Sequence, residues 1–448
     1  MKKLLIIQLD EAYFLFETLL VLDQFREELK LYELTILAKE ESLKQVQDGS
    51  CPIPHSLTTS IETVFTGEFD ISVNLSLHDQ SWAIHSEIDS KRKIGAYKLD
   101  GQLHVPDPWS SFLLTLKAGS PFLSFHLQDI YKNILGFRSF PHPKEEKKQI
   151  QKISIGLCNT QFFSAHEQEV FIKDLNTHYP RLEIVDTSEI DPVSDLSHVL
   201  YIGPASLNSL KICESGAQGL FLSRNFQGFN LLPHGEGHYC ISSNGAPLLA
   251  RDLIKFVDHV IMNKGDSGLL PFCVYQITEE NLFGSYLKSL NGSDDQYPIY
   301  QAHVVLWNFI LNLFDISLDV IKCSTTQEKI LIEQKEVLNK LIRLYDYALT
   351  SIETINQEAK AQTTDSQILT GHMNNLEDIE KVTDQISRSH VFLRPILDYY
   401  RIRRGQNNGA NLLEQAQHSL LAYSEEQQAM KALMELFTVT LNKKEASI

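Results

Sequence analysis

The sequence predicts an α/β protein: two successive Rossmann-type halves, the second one reduced, with an all-helical extension behind them. Three observations predict it. Short apolar runs alternate with helix-like stretches up to about residue 260, as strand–helix–strand units around a parallel sheet do. The segment PHPKEEKKQIQK, opening at Pro141, breaks that pattern with two prolines and a charge run and reads as a linker. From about residue 300 onward apolar residues recur at helical spacing instead. The expected divisions are 1–140 for the first half, 141–150 for the linker, 151–262 for the reduced second half and 263–448 for the helical extension.

Taken in order, Leu4 to Ile7 is a continuous apolar run, the mark of a strand buried on both faces. A helix is expected from about Glu17 to Leu29, a strand at Leu34 to Leu37, another at Phe69 to Leu75, a helix from Trp82 to Ile88 and a strand at Ile94 to Tyr97. In the second half, strands are expected at Ile153 to Leu157, Leu182 to Val185, Val199 to Ile202 and Gly219 to Leu222, with a closing helix from about Pro247 to Val260. Beyond these, Leu331, Leu338, Leu341, Tyr345, Ala348, Ile352 and Ile355 form an apolar stripe at helical spacing, which a bundle core or a partner would cover. Further helices are expected over about 369–387, 392–403 and 410–441.

With 40 Lys+Arg against 57 Asp+Glu, the 448-residue chain has a formal charge of −17, which argues against a non-specific nucleic-acid binder. The six cysteines form no C-x-x-C pair, so neither the usual zinc spacings nor a disulfide framework is expected. Scattered thiols suit a reducing compartment. The N-terminal run is too short for a signal peptide, and Asn308, Asn312, Asp315 and Asp319 interrupt the apolar stretch 303–321, so no spanning helix is expected. The expected location is cytoplasmic, or peripheral at the inner face of a membrane.

Several motifs stand in a telling order. They are Asn74-Leu75-Ser76, Lys91-Arg92-Lys93-Ile94-Gly95, Asp107-Pro108-Trp109, and His126-Leu127-Gln128-Asp129-Ile130-Tyr131 with Gly136. Fainter ones follow at Tyr201-Ile202-Gly203-Pro204-Ala205-Ser206, Gly219-Leu220-Phe221-Leu222 and Pro233-His234-Gly235-Glu236-Gly237-His238. In this order and spacing the chain resembles glycosyltransferase family 9, the heptosyltransferases of bacterial lipopolysaccharide cores, over roughly residues 1 to 260. The resemblance implies a GT-B-like pair of Rossmann domains, an acceptor-side first half and a donor-side second half holding a nucleotide or nucleotide sugar. It implies no further cofactor and no metal.

The departures bear on chemistry. Tyr13-Phe14 stand where the family has Gly-Asp, its general base; Tyr201 and Ser206 stand where its signature loop has Asp and His; Ser164 stands where a lysine is expected. A strand–helix unit between Leu175 and Leu182 is missing. Glycosyl transfer needs a base at the acceptor and positive charge or dipoles at the leaving phosphate. Asp10 and Glu11, at the carboxyl end of the first strand, are the candidate replacement bases, against the alternative of solvated loop carboxylates. Gly203, Pro204, Ser206 and Arg224 are the candidate donor contacts, against the alternative of an ordinary turn and a solvated arginine. His234 and His238 flank Glu236, but the glycines between them make a shared helical face, and hence a metal site, a poor expectation. Arg401, Arg403 and Arg404 could meet anionic lipid or complement a helix end. The functional expectation is a degenerate, glycosyltransferase-like binding or scaffolding module whose C-terminal helices offer a protein-partner surface. The alternative is an active transferase moving a sugar from a nucleotide donor to a surface glycan or protein.

Overall fold

The computed structural model describes residues 1–47, 56–118, 124–137, 149–156, 163–192, 194–225, 229, 231–243, 245, 248–262, 272–281, 284–291, 297–311, 325–360, 365–406 and 411–442. The first half runs β1 (Lys2–Gln8), α1 (Ala12–Gln24), α2 (Arg26–Leu29), β2 (Tyr32–Ala38), α3 (Glu40–Gln47), β3 (Ser56–Thr58), α4 (Ile61–Phe65), β4 (Glu68–Phe69) and β5 (Ile71–Asn74). It continues through α5 (Asp79–Glu87), β6 (Asp89–Ser90), β7 (Lys93–Gly95), β8 (Tyr97–Leu99), β9 (Gln102–His104), α6 (Pro108–Thr115) and α7 (Leu127–Leu135). Its main sheet has the order β3-β2-β1-β5-β7, with every pairing parallel. The apolar run of β1 splits by parity: Leu4 and Ile6 face the core shared with α1 and α7, while Leu5, Ile7 and Leu9 face Val64, Ile84 and Ile88 on the other side. Burial on both faces explains why this strand reads as continuously apolar.

The second half comprises β10 (Lys152–Ile155), α8 (Ala165–His178), β11 (Glu183–Asp186), β12 (Val199–Gly203), α9 (Leu207–Glu214), β13 (Gln218–Ser223), β14 (Tyr239–Ser242) and α10 (Ala250–Met262). It is reduced: between β11 and β12 stands only a 3-10 turn at Thr187–Glu189 in place of a helix. The expectation that 263–448 is helical needs correction. Strands β15 (Cys273–Asn281) and β16 (Gly284–Ser289) form a hairpin, and β15 pairs antiparallel with β14. The second sheet is therefore seven-stranded, in the order β11-β10-β12-β13-β14-β15-β16. Val274, Tyr275 and Ile277 of β15 are fully buried, and burying such side chains favours pairing by about 1.5–3 kcal/mol each. That burial recruits the segment into the sheet.

Helices follow: α11 (Tyr297–Ile310), α12 (Thr325–Lys360), α13 (Ser366–Ser389), α14 (Arg394–Gly405) and α15 (Leu412–Asn442). All seven residues of the predicted stripe are buried, packed with Tyr423, Met430, Leu433 and Phe437 of α15. At the centre of this bundle Arg404 bonds both carboxylate oxygens of Glu380 (2.7 and 3.0 Å) and pairs with Glu426, which accepts from the Tyr345 hydroxyl at 2.7 Å. Arg401 pairs with Asp384 and Asp398. Of the basic cluster, Arg404 is thus buried inside the bundle, while Arg401 makes its ion pairs at the surface. Trp307 of α11 is buried against Phe112 of α6 (ring centroids 4.6 Å) and Tyr399 of α14 (5.2 Å). The Tyr297 and Tyr300 hydroxyls accept from the Ser289 and Leu287 amides of the hairpin. The helical region therefore rests on both halves.

Candidate functional site

In each sheet the chain runs outward from its first strand on one side and returns on the other. That arrangement leaves a crevice at the strands' carboxyl ends, between β1 and β5 and between β10 and β12. Open α/β sheets bind ligands at such switch points.

The first crevice is built by the Asn74-Leu75-Ser76 motif. Asn74 donates to Ala96 O (2.8 Å) and Ser81 Oγ (3.1 Å) and accepts from the Ser76 amide (3.0 Å), which turns the chain sharply after β5. Gly95 pairs with Asn74; with φ +88 and a virtual Cβ only 2.2 Å from Asn74 O, it tolerates no side chain. Ser76 Oγ accepts the Leu9 amide at 2.5 Å, lacing the ends of β1 and β5 together. On this turn the Leu77 amide donates to Asp10 Oδ2 at 2.7 Å, and Ser42 of α3 donates to Asp10 O at 3.0 Å. Among the described residues, Asp10 Oδ1 accepts no hydrogen bond. Burial, with the neighbouring Glu11 adding to it, outweighs the Leu77 amide, His78 and Lys39, and raises the Asp10 carboxyl to about 6. Its predicted companion Glu11 is exposed, preceding α1 without capping it by its side chain. Of the two candidate bases, only Asp10 is held at the switch point.

The second crevice is built differently. Tyr201 is 2% exposed, and its hydroxyl donates to Pro204 O at 2.8 Å. A Cβ on Gly156 or Gly203 would lie 2.6 or 2.5 Å from that hydroxyl. The strand ends therefore close over the phenol, and only glycine fits at either. Ser206 is the N-cap of α9: its Oγ accepts the Ser209 amide, and Ser209 Oγ accepts the Ser206 amide in return. Ser164, aligned with the expected lysine, caps α8 in a capping box with Glu167. Pro204 is half-buried. Arg224 lies exposed just past β13, its carbonyl accepting the Gly245 amide at 2.9 Å. These candidates thus sit at or beside the second crevice, with the Tyr201 and Ser206 hydroxyls engaged within the chain. The two halves meet at α3 and α9, where Lys211 donates to Gln45 O at 2.6 Å.

The His126–Tyr131 and Pro233–His238 motifs, read apart in the sequence, meet between the halves. His234 Nε2 bonds Asp129 Oδ1 at 3.0 Å, with Lys132 Nζ at 3.7 Å, and His126 Nε2 donates to Leu232 O at 2.8 Å. Burial would raise the Asp129 carboxyl, but His234, Lys132 and His126 outweigh it and hold the group well below the usual aspartate range. Burial and the neighbouring His234 push His126 down to about 3, so it is neutral. Glu17, beside Gln128 at 2.7 Å, is raised well above the ordinary value by burial and by Glu214. This interface escaped sequence reasoning; the one available signal was a polar motif at the face of an otherwise apolar helix, α7. His238 goes elsewhere, accepting the Gly219 amide at 3.0 Å. Among the described residues no group of three or more His, Cys, Asp or Glu could hold a metal ion, and no helix is long and apolar enough to cross a membrane. The apolar stretch from His303 is helical to Ile310, and 312–324 lie outside the described residues.

No protein-family model matches the chain, and no curated protein does. Among solved structures the chain is similar in fold to the E. coli heptosyltransferase WaaC with ADP, at a TM-score of 0.40 and 8% identity, covering 58% of this chain and 99% of that one. The same enzyme with ADP-2-deoxy-2-fluoro heptose gives 0.38 and 7%, over 57% and 99%. A glycosyl transferase family 9 protein from Veillonella parvula gives 0.34 and 12%, over 59% and 98%. The last carries the name of the family that the sequence motifs resemble.

Proposed function

We propose that the chain is a degenerate, heptosyltransferase-like protein that keeps the acceptor-side end of its cleft and works as a binding or scaffolding module. One observation carries the reading: the buried Tyr201 phenol fills the second switch point, where the family places a carboxylate. A departing diphosphate needs charge or preorganised donors there, and the hydroxyls of Tyr201 and Ser206 are committed to the Pro204 carbonyl and to the cap of α9. On this reading the protein acts in the cytoplasm, and α12, α13 and α15, with Tyr347, Met373 and Leu421 exposed, give the face for a protein partner. The burial of Arg404 inside the bundle removes one arginine of the cluster from any peripheral contact with lipid.

A melting series with free nucleotides and nucleotide sugars tests it. A ligand at one hundred times its dissociation constant adds about 2.7 kcal/mol, so unchanged curves at millimolar concentrations are expected, and a clear rise with any nucleotide would overturn the donor-side part.

The active-transferase reading keeps one observation in its favour, the Asp10 carboxyl raised to about 6. A base works best with a pKa near the working pH. Transfer by the parent that disappears in an Asp10→Ala, Glu11→Ala double variant would favour that reading.

A further inference from the structure

We infer that Gln8 is a positioning residue for Asp10: its buried carboxamide ties the turn presenting that carboxylate to the two helices behind it. The inference rests on the reading of Asp10 as the ligand-facing group of the first crevice.

Gln8 ends β1 after four apolar residues and is 0% exposed. A leucine would fill the same space without the cost of burying an amide, which is large unless every polar position is bonded. Here the bonds are made. Oε1 accepts the Asp10 amide (3.3 Å) and the Ser76 hydroxyl (3.3 Å). Nε2 donates to the Tyr131 hydroxyl (3.0 Å) and Thr18 Oγ1 (3.2 Å), with Leu75 O at 3.5 Å. One side chain thus gathers the turn after β5, α1 and α7 around Leu9, the single residue between itself and Asp10. Thr18 Oγ1 in turn donates to Phe14 O at 2.8 Å, so Nε2 meets its acceptor lone pair. Gln8 Oε1 thus holds the Asp10 amide while the Leu77 amide holds Oδ2 of its carboxylate. Because α7 also carries Asp129, the helix that anchors Gln8 is the one gripping His234 of the second half. The charged and titratable groups acting on Asp10 are Glu11 beside it, Lys39 after β2, His78 after β5 and Tyr131 on α7.

The test reads Asp10 itself. In the full-length protein with carbon-13-labelled aspartate, the Asp10 carboxyl resonance is assigned by its absence in Asp10→Asn and followed through a pH titration. The parent midpoint is expected near 6. In Gln8→Leu the turn loosens, the carboxylate meets water, and the midpoint should fall by at least one pH unit toward the ordinary aspartate value. Tyr131→Phe combined with Thr18→Val removes the two side-chain acceptors of Nε2, leaves Gln8 in place, and should move the midpoint in the same direction. That double variant decides the matter where Gln8→Leu does not fold. A folded variant of either kind with the parent's midpoint would overturn the inference, however far its melting temperature had dropped, since a packing role alone lowers stability without moving this titration. Neither nucleotide binding nor sugar transfer enters the readout. A rise in melting temperature with a nucleotide would therefore sink the proposed function and leave Gln8 untouched, and an unmoved titration would do the reverse.

Discussion

At its first switch point the chain keeps a carboxylate half out of water with one oxygen unbonded; at its second it fills the same place with a phenol. Both crevices come from one topology, a parallel sheet whose strand order reverses beside the first strand. The difference therefore lies in single side chains at strand ends, with the scaffold held constant. Fold sets where a ligand could lie, and those side chains set what could happen to it. The first end spends stability to hold a charge in a poorly solvated place. The second gains stability by closing.

The largest effect should come from undoing that closure. Tyr201→Ala removes a fully buried ring from beneath Gly156 and Gly203 and should lower unfolding free energy by about 3–5 kcal/mol, measured by urea denaturation. A loss below about 1 kcal/mol would mean that the ring packs loosely and the crevice is open.

Next comes the contact between the halves. His234→Ala removes a bonded partner of the buried Asp129 and should cost about 3 kcal/mol at pH 7. Asp129 is held low in the folded state, so its pair contributes stability above the ordinary aspartate pKa and loses it as pH falls below about 4. The variant should accordingly lose less stability on acidification than the parent. Equal acid sensitivity would detach Asp129 from the interface energetics.

Asp10 has the opposite sign. Its carboxyl holds a proton more tightly folded than unfolded, so stability falls as pH climbs from 3.8 to about 6. Asp10→Asn keeps an acceptor for the Leu77 amide and carries no charge. It should exceed the parent by on the order of 1 kcal/mol at pH 7, an advantage that vanishes below about pH 4. A destabilised variant at pH 7 would make Asp10 a structural carboxylate, and the contrast between the two ends would collapse.

The smallest effect belongs to Ser164, the cap of α8. Ser164→Ala breaks the capping box with Glu167 and should cost about 1 kcal/mol. A change in any nucleotide response would show that the position retains a ligand role.

The central strands were legible because they are apolar on both faces, as in Leu4 to Ile7 and Val199 to Ile202, whereas β3 and β14 were not read from the sequence. The long bundle helices were legible through a stripe buried along its whole length. The hairpin at 273–289 was not. Its hydrophobic run is bounded by polar and glycine residues that suit several structures, and only its place beside β14 decides among them. At the site, the position of Asp10 and Glu11 just past the first apolar run put both forward as candidates. The distinction between Asp10 and its neighbour Glu11 came from the fold of another segment, since the Leu77 amide arrives 67 residues later in the chain. Nor could the sequence pair His234 with Asp129, which are 105 residues apart; each looks like an ordinary polar residue until the halves are brought together.

The seating of the helical region on both halves has a consequence for biosynthesis. Trp307 fills a place beside Phe112 of α6, and Tyr297 and Tyr300 cover the hairpin. All three are translated after the surfaces they cover. While the ribosome is still short of residue 297, a nascent chain would present those apolar surfaces bare, and contacts of such long sequence separation close slowly. Those two faces stay uncovered until α11 has emerged, the interval in which such a chain is most prone to aggregate.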